Sequence, residues 1–600
     1  MCGIIGYVGN RNAREVLING LKTLEYRGYD SAGIAYRTNN RIEIIKANGK
    51  IKNLERKIKK GITSHIGIGH TRWATHGKPS EINAHPHRIG KFTIVHNGII
   101  ENYESLKKIL QKEKYKFKSD TDSEVICALL DKLYKEKPDI LKVLVQVKNL
   151  LNGSYALGIL CDDKPDSLYA IRKDSPLIVG LGTNENFIAS DVPAILKYTD
   201  KYMIIGSNEI IEINDKVTVY NDNLDETDKE ILTFEGSIIE AEKNGYDHFM
   251  LKEIHEEPEV IYNTIHPFLE NGINSLTENM PSFKKYKKIA IIGCGSAYHA
   301  GVIGKNIIEK YGDIKTSVYI ASEYRYQKSF TDKDTLIILI SQSGETADTI
   351  ASLRKVKELG FDTLAIVNVV GSSLAREADK TIYIKAGPEI SVATTKAYTC
   401  QLAILSLIAL TIGYEKKIIN EKKAEEIIAS FYKLPDELKK VINIDYKKYA
   451  KNLYKKNICF YIGRGIDYAI CLEGSLKLKE ISYITTLAYP AGELKHGTIS
   501  LIDRGTNVIA VVTDKHISKK TISNIKEVKS RGAYVTLLIT DNLNEETSFA
   551  DEIIKIPFIN DFVEPIITSI PLQLIGYETA KLKGCDIDKP KNLAKSVTVE

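Results

Sequence analysis

The sequence of 600 residues is short of several features that would each indicate a class of protein. Its eight cysteines form no CxxC pair, so we expect neither a zinc knuckle nor a disulfide framework, and a reducing compartment is favoured. The first residues show no basic leader with a long apolar stretch, so we expect no signal peptide. The most apolar helix-like run, 402–412, is shorter than the ~20 residues that a membrane span needs. These patterns predict a cytoplasmic protein that does not enter a membrane.

The charge is nearly balanced and evenly spread. The net charge is +6, without a long basic block, so binding to nucleic acid is not predicted. Apolar residues make up 43% and charged residues 27%, which excludes a mainly disordered chain. A prior of about 150 residues per domain suggests roughly four units. There is a single tryptophan, Trp73.

The pattern of predicted strands and helices changes along the chain. Residues 2–218 consist of short strand-like runs with two helical patterns, which predicts a layered α+β domain. Residues 219–247 are charged and turn-rich and are interpreted as a linker. Buried-type strands and amphipathic helices then alternate, which predicts parallel sheets. A weak repeat, IAIIGCGSAYHAG echoed by ICFYIGRGIDYAICLEG, predicts two similar α/β subdomains at 280–419 and 451–590, followed by a polar tail at 585–600.

Cys2 follows the initiator methionine directly, and a small second residue permits removal of that methionine. Removal would place a thiol beside a free α-amine, whose pKa is about 7.7–8.0. Nucleophile and general base would then belong to one residue, which is a recognised arrangement for acyl transfer. At position 2 alone, however, a small buried core cysteine is the commoner explanation.

Five segments in order resemble the class II, N-terminal-nucleophile glutamine amidotransferases: CGIIGYVG, LEYRGYDSAGIA, HTRWATHG, HNGIIENY and SDTDSEVI. The chemistry agrees, since Arg72 could hold an α-carboxylate, Asp122 an α-ammonium, and Asn97 with the amide of Gly98 an oxyanion. The resemblance implies an αββα glutaminase domain with Cys2 as nucleophile. It also implies that Thr75 and His76 contact glutamine, that Trp73 borders an ammonia passage, and that Arg27 lies near the nucleophile.

Histidines are dense in this half of the chain, and His85-Pro-His87 could be mistaken for a metal-binding pair. No third ligand has the spacing of a metal-binding helix, and the family needs no metal. We interpret these histidines as structural or substrate-side residues.

The segment SQSGETADT, 341–349, lies between a predicted strand and a predicted helix. Hydroxyls, a glycine and free helix amides at such a junction can hold a phosphate. The turn GCGSAYHAG lacks the full GxGxxG pattern and the P-loop lysine, so dinucleotide and ATP sites are not favoured. Together these segments resemble the SIS, or sugar isomerase, domain in two doubly wound copies. The resemblance predicts sugar-phosphate contacts from Ser296, Ser341, Gln342, Ser343, Thr346 and Ala393.

Three further places carry isomerase chemistry by the same resemblance. Glu473, Lys477 and Glu480 fall on one helical face, although spacing alone favours an ordinary surface charge ladder. The resemblance assigns Glu480 as the base between C1 and C2, with Lys477 close by. His496 matches the residue associated with ring opening, and Lys595 the lysine that forms an imine with the ketose. An exposed disordered tail is the alternative for the segment around Lys595.

The whole chain resembles the glutamine–fructose-6-phosphate aminotransferase (isomerizing) family, which implies L-glutamine and D-fructose 6-phosphate as substrates, a homodimer, and no cofactor or metal. Two small departures stand at Ala297, where a hydroxyl is common, and at Thr498, where proline is common. Three alternatives remain: an amidotransferase acting on phosphoribosyl pyrophosphate, a sugar-phosphate-sensing regulator built from SIS domains, and a paralogue with another sugar acceptor. The first would need a phosphoribosyltransferase loop, and the second would not need Cys2 together with Lys595.

Overall fold

The computed structural model describes residues 2–38, 41–59, 61–74, 76–234, 243–328 and 332–598. The chain divides into two compact units. The first comprises residues 1–241 with the short segments 345–347 and 594–600, and the second comprises residues 242–344 and 348–593. All eight cysteines are free thiols.

The first unit is built on two sheets whose strands pair antiparallel. Their strand orders are β14-β11-β9-β10-β1-β4-β2-β3 and β13-β12-β8-β7-β6-β5. The strands are β1 Gly3–Gly9, β2 Ser31–Thr38, β3 Arg41–Asn48, β4 Ile66–Arg72, β5 His87–Ile89, β6 Phe92–Ile100, β7 Gly153–Cys161, β8 Lys164–Lys173, β9 Ile178–Gly182, β10 Glu185–Ala189, β11 Lys201–Ile204, β12 Ile210–Ile213, β13 Val217–Tyr220 and β14 Leu232–Thr233.

Helices cover the outer face of each sheet. They are α1 Ala13–Leu24, α2 Ile51–Glu55, α3 Tyr103–Lys112, α4 Ser123–Glu136 and α5 Ile140–Leu150. Between the sheets, Ile4, Ile68 and Val95 are fully buried in one apolar cluster. Two further clusters join α1 and α2 to the first sheet, and α4 and α5 to the second. Burying both faces of each sheet gives the αββα layering that was predicted.

The second unit contains two parallel sheets of five strands each, ordered β16-β15-β17-β18-β19 and β21-β20-β22-β23-β24. The strands are β15 Lys288–Gly293, β16 Lys315–Ile320, β17 Thr335–Ser341, β18 Thr363–Val367, β19 Lys380–Tyr383, β20 Ile458–Gly463, β21 Thr485–Pro490, β22 Asn507–Val512, β23 Tyr534–Thr540 and β24 Glu552–Ile556. The two strand orders are the same, so the weak sequence repeat corresponds to a repeated doubly wound fold.

Helices surround both sheets of the second unit. They are α6 Phe249–Leu269, α7 Ile273–Asn279, α8 Ser296–Gly312, α9 Ala321–Tyr324, α10 Ala347–Glu358, α11 Ser373–Glu377, α12 Lys396–Glu415, α13 Glu421–Ile442, α14 Lys447–Leu453, α15 Ile466–Ser482, α16 Ser518–Ser530 and α17 Glu564–Leu582. The largest apolar cluster of the unit is shared by residues of both repeats, including Ile291, Leu405 and Ile567.

Helix α12 is longer than the apolar run 402–412, which was judged from the sequence to be too short to span a membrane. The helix has 20 residues, so by length and composition it could cross a membrane. However, 94% of its most apolar window is buried inside the protein. Its apolar surface is therefore accounted for as a core helix that packs against α8 and α6.

Candidate active sites

Cys2 lies immediately before β1, on the strand pair that β1 forms with β4. Its Sγ accepts a hydrogen bond from the Trp73 amide at 3.2 Å, and its carbonyl accepts one from Asn97 Nδ2 at 3.0 Å. Desolvation raises the pKa of the partly buried thiol, whereas the Trp73 amide and the charge of Arg72 oppose that rise. A thiol with a raised pKa needs a base to become the nucleophilic thiolate.

Asn97 and Gly98 lie in β6, beside the nucleophile. Gly98 has φ +126°, and a Cβ there would lie 2.0 Å from the carbonyl oxygen of Ser154. Only glycine therefore fits this position, because strand β7 passes against it. Asn97 is 6% exposed, and its Nδ2 is already directed at Cys2. The geometry gives the nucleophile an amide donor nearby, and the oxyanion role of the pair stays a prediction.

The two charged groups predicted to hold glutamine are both buried. Arg72 is 3% exposed and donates to the carbonyls of His76, Gly77 (3.0 Å) and Lys78 (3.4 Å), so its guanidinium organises the loop after β4. Asp122, also 3% exposed, accepts the Ile100 amide at 2.9 Å. Both charges act on the Cys2 thiol, since Arg72 lowers its pKa and Asp122 raises it. Thr75 lies outside the described residues.

The remaining predicted residues of this half surround the same loop. The Trp73 ring lies edge-on to Tyr29 with centroids 5.8 Å apart, and the His76 ring contacts Tyr103 in the same manner at 5.2 Å. Arg27 forms an ion pair with Asp191 at 2.6 Å. Burial alone would lower the pKa of Arg27, but the Asp191 carboxylate raises it above its ordinary value. Arg27 is thus held by a partner inside its own domain.

The histidine cluster is a buried hydrogen-bonded group. The rings of His70 and His85 stack at 4.1 Å, and Ser123 Oγ lies 2.9 Å from His96 Nδ1 and 3.3 Å from His85 Nε2. Burial lowers the pKa of His70 to about 3 and keeps the pKa of His85 well below its ordinary value. These rings are therefore neutral at physiological pH, which agrees with a structural role.

The loop predicted to hold the sugar phosphate turns tightly between β17 and α10. Ser341 Oγ accepts the Gly344 amide at 3.0 Å, and Gly344 has φ +65°. A Cβ at Gly344 would lie 2.0 Å from Ser372 Oγ, so only glycine allows this turn. Gln342 and Ser343 occupy the turn, Thr346 immediately precedes α10, and Ala393 is buried in the loop before α12.

Glu473, Lys477 and Glu480 form a buried cluster on α15. Lys477 Nζ lies 3.3 Å from Glu473 Oε1 and 2.9 Å from Glu480 Oε2. The side chain of Lys477 is 1% exposed and that of Glu473 is 4% exposed, so the surface-ladder interpretation is wrong. Burial alone would lower the pKa of Lys477 and raise that of Glu473, but their attraction reverses both shifts. Glu473 and Lys477 are therefore ionised, and Glu480, whose side chain is 19% exposed, lies at the accessible end of the cluster.

Helix α8 completes the cluster. Ser296 Oγ donates to Glu473 Oε1 at 2.8 Å and accepts from Lys477 Nζ at 3.2 Å. Ser296 was predicted as a phosphate contact, and in this structure its hydroxyl is bound to the ionic cluster. Sequence reasoning missed His299, whose Nδ1 lies 2.8 Å from Glu473 Oε2. Its position three residues after Ser296, on the same face of α8, was the available signal.

His496 and Lys595 lie apart from the cluster in sequence. His496 is exposed between two 3₁₀ turns, Glu493–Lys495 and Thr498–Leu501. The tail that carries Lys595 is ordered, because Ser596 and Thr598 are 8% and 6% exposed and the Val597 carbonyl accepts the Ala347 amide at 3.0 Å. The disordered-tail alternative is therefore wrong. The catalytic roles of these residues stay predictions.

Comparison with known families assigns both halves of the chain. The model of the glutamine amidotransferase domain matches residues 70–197, and that of the SIS domain matches residues 282–411 and 452–582. The fold is similar to that of a solved structure, the C-terminal domain of glucosamine-fructose-6-phosphate aminotransferase from Francisella tularensis. The match covers 58% of this chain and 99% of the Francisella chain. It is 38% identical in sequence, with a TM-score of 0.56.

Full-length relatives are equally clear. The glutamine–fructose-6-phosphate aminotransferase (isomerizing) of Caldanaerobacter subterraneus subsp. tengcongensis is 49% identical over 610 residues, covering 100% of both chains. That of Clostridium tetani is 48% identical, again over 100% of both chains. Both domains of the chain are therefore included in the match. The chain belongs to the family of the glutamine–fructose-6-phosphate aminotransferases (isomerizing).

Proposed function

We propose that the chain transfers the amide nitrogen of L-glutamine to D-fructose 6-phosphate and isomerises the product to D-glucosamine 6-phosphate, with release of L-glutamate. The observation that carries the proposal is the match at 49% identity over 100% of both chains to a relative of that name. The Cys2 environment and the ionic cluster on α15 support it, because each provides the chemistry of one half-reaction.

In the first half-reaction Cys2 attacks the glutamine amide carbon. The raised thiol pKa makes a base necessary, and the α-amine of Cys2 after removal of the methionine is the nearest candidate. Asn97 and the Gly98 amide stabilise the oxyanion, while Arg72 and Asp122 hold the carboxylate and ammonium of glutamine. Ammonia leaves, and water then hydrolyses the glutamyl thioester. Thr75 and His76 complete the glutamine site.

In the second half-reaction Lys595 forms an imine with open-chain fructose 6-phosphate, whose phosphate is held by the turn at Ser341, Gln342 and Ser343. Ammonia adds at C2 and displaces the lysine amine. Glu480 then moves a proton between C1 and C2, and Lys477 Nζ, which lies 2.9 Å from Glu480 Oε2, orients that carboxylate. Glu473 fixes Lys477 from the other side, so the base is held rigidly.

The assembly belongs to the proposal as well. The exposed position of His496 suits a residue that enters the sugar site of a second copy, and we propose a cytoplasmic homodimer in which it assists ring opening. Trp73 and Arg27 would border the passage of ammonia from the glutaminase site. Resident metals and organic cofactors have no part in the proposed chemistry.

Product analysis tests the function. Glutamine labelled with ¹⁵N in its amide and fructose 6-phosphate should give glucosamine 6-phosphate that carries the label. Cys2→Ala should abolish the use of glutamine and leave isomerisation of hexose phosphate intact. Unlabelled product, or label in another acceptor, would contradict the proposal and favour a paralogue with a different sugar.

A further inference from the structure

The C-terminal segment that leads to Lys595 is attached to the second unit by Asp588. This residue is 7% exposed, and both of its carboxylate oxygens accept backbone hydrogen bonds from the start of α6. Oδ2 accepts the amide of Phe249 and Oδ1 that of Met250, each at 3.0 Å. A carboxylate with two backbone donors makes strong, charge-assisted hydrogen bonds.

Helix α6 depends on this carboxylate for its N-terminal cap. The helix has 21 residues, and its own N-cap residue, His248, makes no side-chain capping bond. The first amides of a helix need acceptors, and its N-terminus favours negative charge. Asp588 meets both needs from 338 residues further along the chain, and Lys243 Nζ lies 3.3 Å from Oδ2.

The same residue also binds the loop before α12. The Asp588 carbonyl accepts the Val392 amide at 3.0 Å. From α6, Glu253 Oε1 accepts the amides of Ile390 and Ser391 at 2.6 and 3.0 Å. The start of α6, the tail and the loop that carries Ala393 therefore meet at one junction.

A second attachment follows three residues later. The amide of Lys591 donates to Tyr483 Oη at 2.8 Å, and Tyr483 is the C-cap residue of α15, the helix that carries Glu480. Asn592 then has φ +59°, which turns the chain. Lys595 is three residues beyond, a length that spans at most about 11 Å. The two attachments consequently limit where the Lys595 amine can lie.

We propose that Asp588 is a positioning residue for Lys595: its cap on α6 fixes the tail at the distance from which the lysine amine reaches the ketose carbonyl. The proposal rests on the imine role proposed above for Lys595. A misplacement of about 1 Å in a reacting group can lower a rate on the order of 100-fold. The rate of imine formation should therefore depend on Asp588, whereas phosphate binding at the Ser341 turn should not.

The test is borohydride trapping of fructose 6-phosphate on the full-length protein, followed by peptide mass analysis, together with kcat and KM for synthesis. In Asp588→Ala we expect trapping and synthesis to fall on the order of 100-fold, with the KM for fructose 6-phosphate within about twofold of the wild type. Asp588→Asn keeps one acceptor oxygen and should recover part of the rate. Asp247→Asn is the matched control, because Asp247 is exposed, precedes the same helix and pairs its carboxylate with Lys581 at 2.8 Å.

The outcomes separate the two proposals. If the wild-type adduct lies on a residue other than Lys595, the imine role fails first. If the adduct lies on Lys595 and a folded Asp588→Asn or Asp588→Ala traps sugar at the wild-type rate, the positioning role is refuted. An equal loss of glutamine hydrolysis and synthesis would also refute it, since that is the pattern of a general loss of fold. Should Asp588→Ala not fold, Tyr483→Phe removes the second attachment and should lower trapping in the same direction.

Discussion

The two SIS repeats share a fold down to individual residues and differ in their chemistry. Helices α8 and α15 each have 17 residues, so they correspond position by position. Each begins after a glycine with left-handed φ, +55° at Gly295 and +57° at Gly465. Each also ends at a left-handed residue, Asp313 or Tyr483. The backbone of the repeat is therefore conserved within the molecule, and the side chains that it presents have diverged.

The two repeats place different side chains at corresponding positions of α8 and α15. The positions of Glu473 and Lys477 in α15 correspond to Ile303 and Ile307 in α8, which are buried apolar residues. The second repeat thus places an ionic cluster where the first has ordinary core. The first repeat contains the tight turn at Gly344, whose φ is left-handed. Lys515 occupies the corresponding position of the second repeat by strand register, and its φ is not left-handed. We therefore predict that the first copy holds the phosphate and that the second moves protons.

Asp467 distinguishes the second repeat at the place that corresponds to the predicted phosphate turn of the first. It corresponds to Ala297 and is fully buried. Its carboxylate accepts the Thr513 amide at 3.1 Å and the Thr513 hydroxyl at 2.5 Å. Thr513 stands in strand register with Gln342 of the predicted phosphate turn. The Asp467 carboxylate therefore accepts the amide and hydroxyl hydrogen bonds that Thr513 could otherwise donate to a bound anion.

The largest effect that would test this comparison is expected for Lys477→Met. Removing one partner of a buried ionic group leaves carboxylates unpaired, which costs about 3–5 kcal/mol. We expect a much lower melting temperature in thermal unfolding and no synthesis. The matched variant Ile307→Met changes the same position of the first repeat and should cost about 1 kcal/mol or less. Similar melting temperatures for the two variants would contradict the difference drawn between the repeats.

The next effect comes from moving the carboxylate into the first repeat. Ala297→Asp would copy Asp467 beside the phosphate turn, and like charges at short range cost several kcal/mol. We expect the KM for fructose 6-phosphate to rise at least about 100-fold, which corresponds to about 2.7 kcal/mol. Glutamine hydrolysis should not change. Ala297→Ser, which adds a neutral hydroxyl, should leave the KM unchanged or lower it. Unaltered kinetics of Ala297→Asp would show that this position does not face the phosphate.

A smaller effect concerns pH. Burial raises the pKa of Asp467 from its ordinary 3.8 to about 7. Because the folded-state pKa lies above the unfolded one, the folded protein keeps a proton that the unfolded chain loses, and this group lowers stability as the pH rises through that window. Asp467→Asn removes the titration, so its melting temperature should fall less than that of the wild type between about pH 5 and about pH 8. The exposed Asp436→Asn is the control, and identical pH slopes in all three proteins would contradict the assignment.

The sequence predicted most of this architecture, because apolar strands that end in glycine turns indicate each repeat. It did not predict that Lys477 is buried. The i, i+4 spacing is the same for a surface ladder and for a buried pair, and the difference arises from Ser296 and His299 on another helix. It likewise did not reveal the cap of Asp588 on α6, because a contact across 338 residues leaves no local pattern.

The folded structure also adds contacts of the site residues that the sequence did not indicate. Ser296 was predicted by resemblance to contact phosphate, and the structure adds that its hydroxyl binds Glu473 and Lys477. Arg72 was recognised from its motif, but the carbonyls that it binds at His76, Gly77 and Lys78 follow only from the folded loop. The length of α12 exceeded its apolar run because its flanking polar residues are buried as well. In each case the deciding fact is a tertiary contact.

The most direct test of the division between the repeats is Glu480→Gln, examined by calorimetric titration with fructose 6-phosphate and by interconversion of the hexose 6-phosphates. We predict a dissociation constant within about twofold of the wild type, because phosphate binding is assigned to the first repeat, together with loss of interconversion. Loss of binding in parallel with the loss of interconversion, or full retention of interconversion, would contradict it.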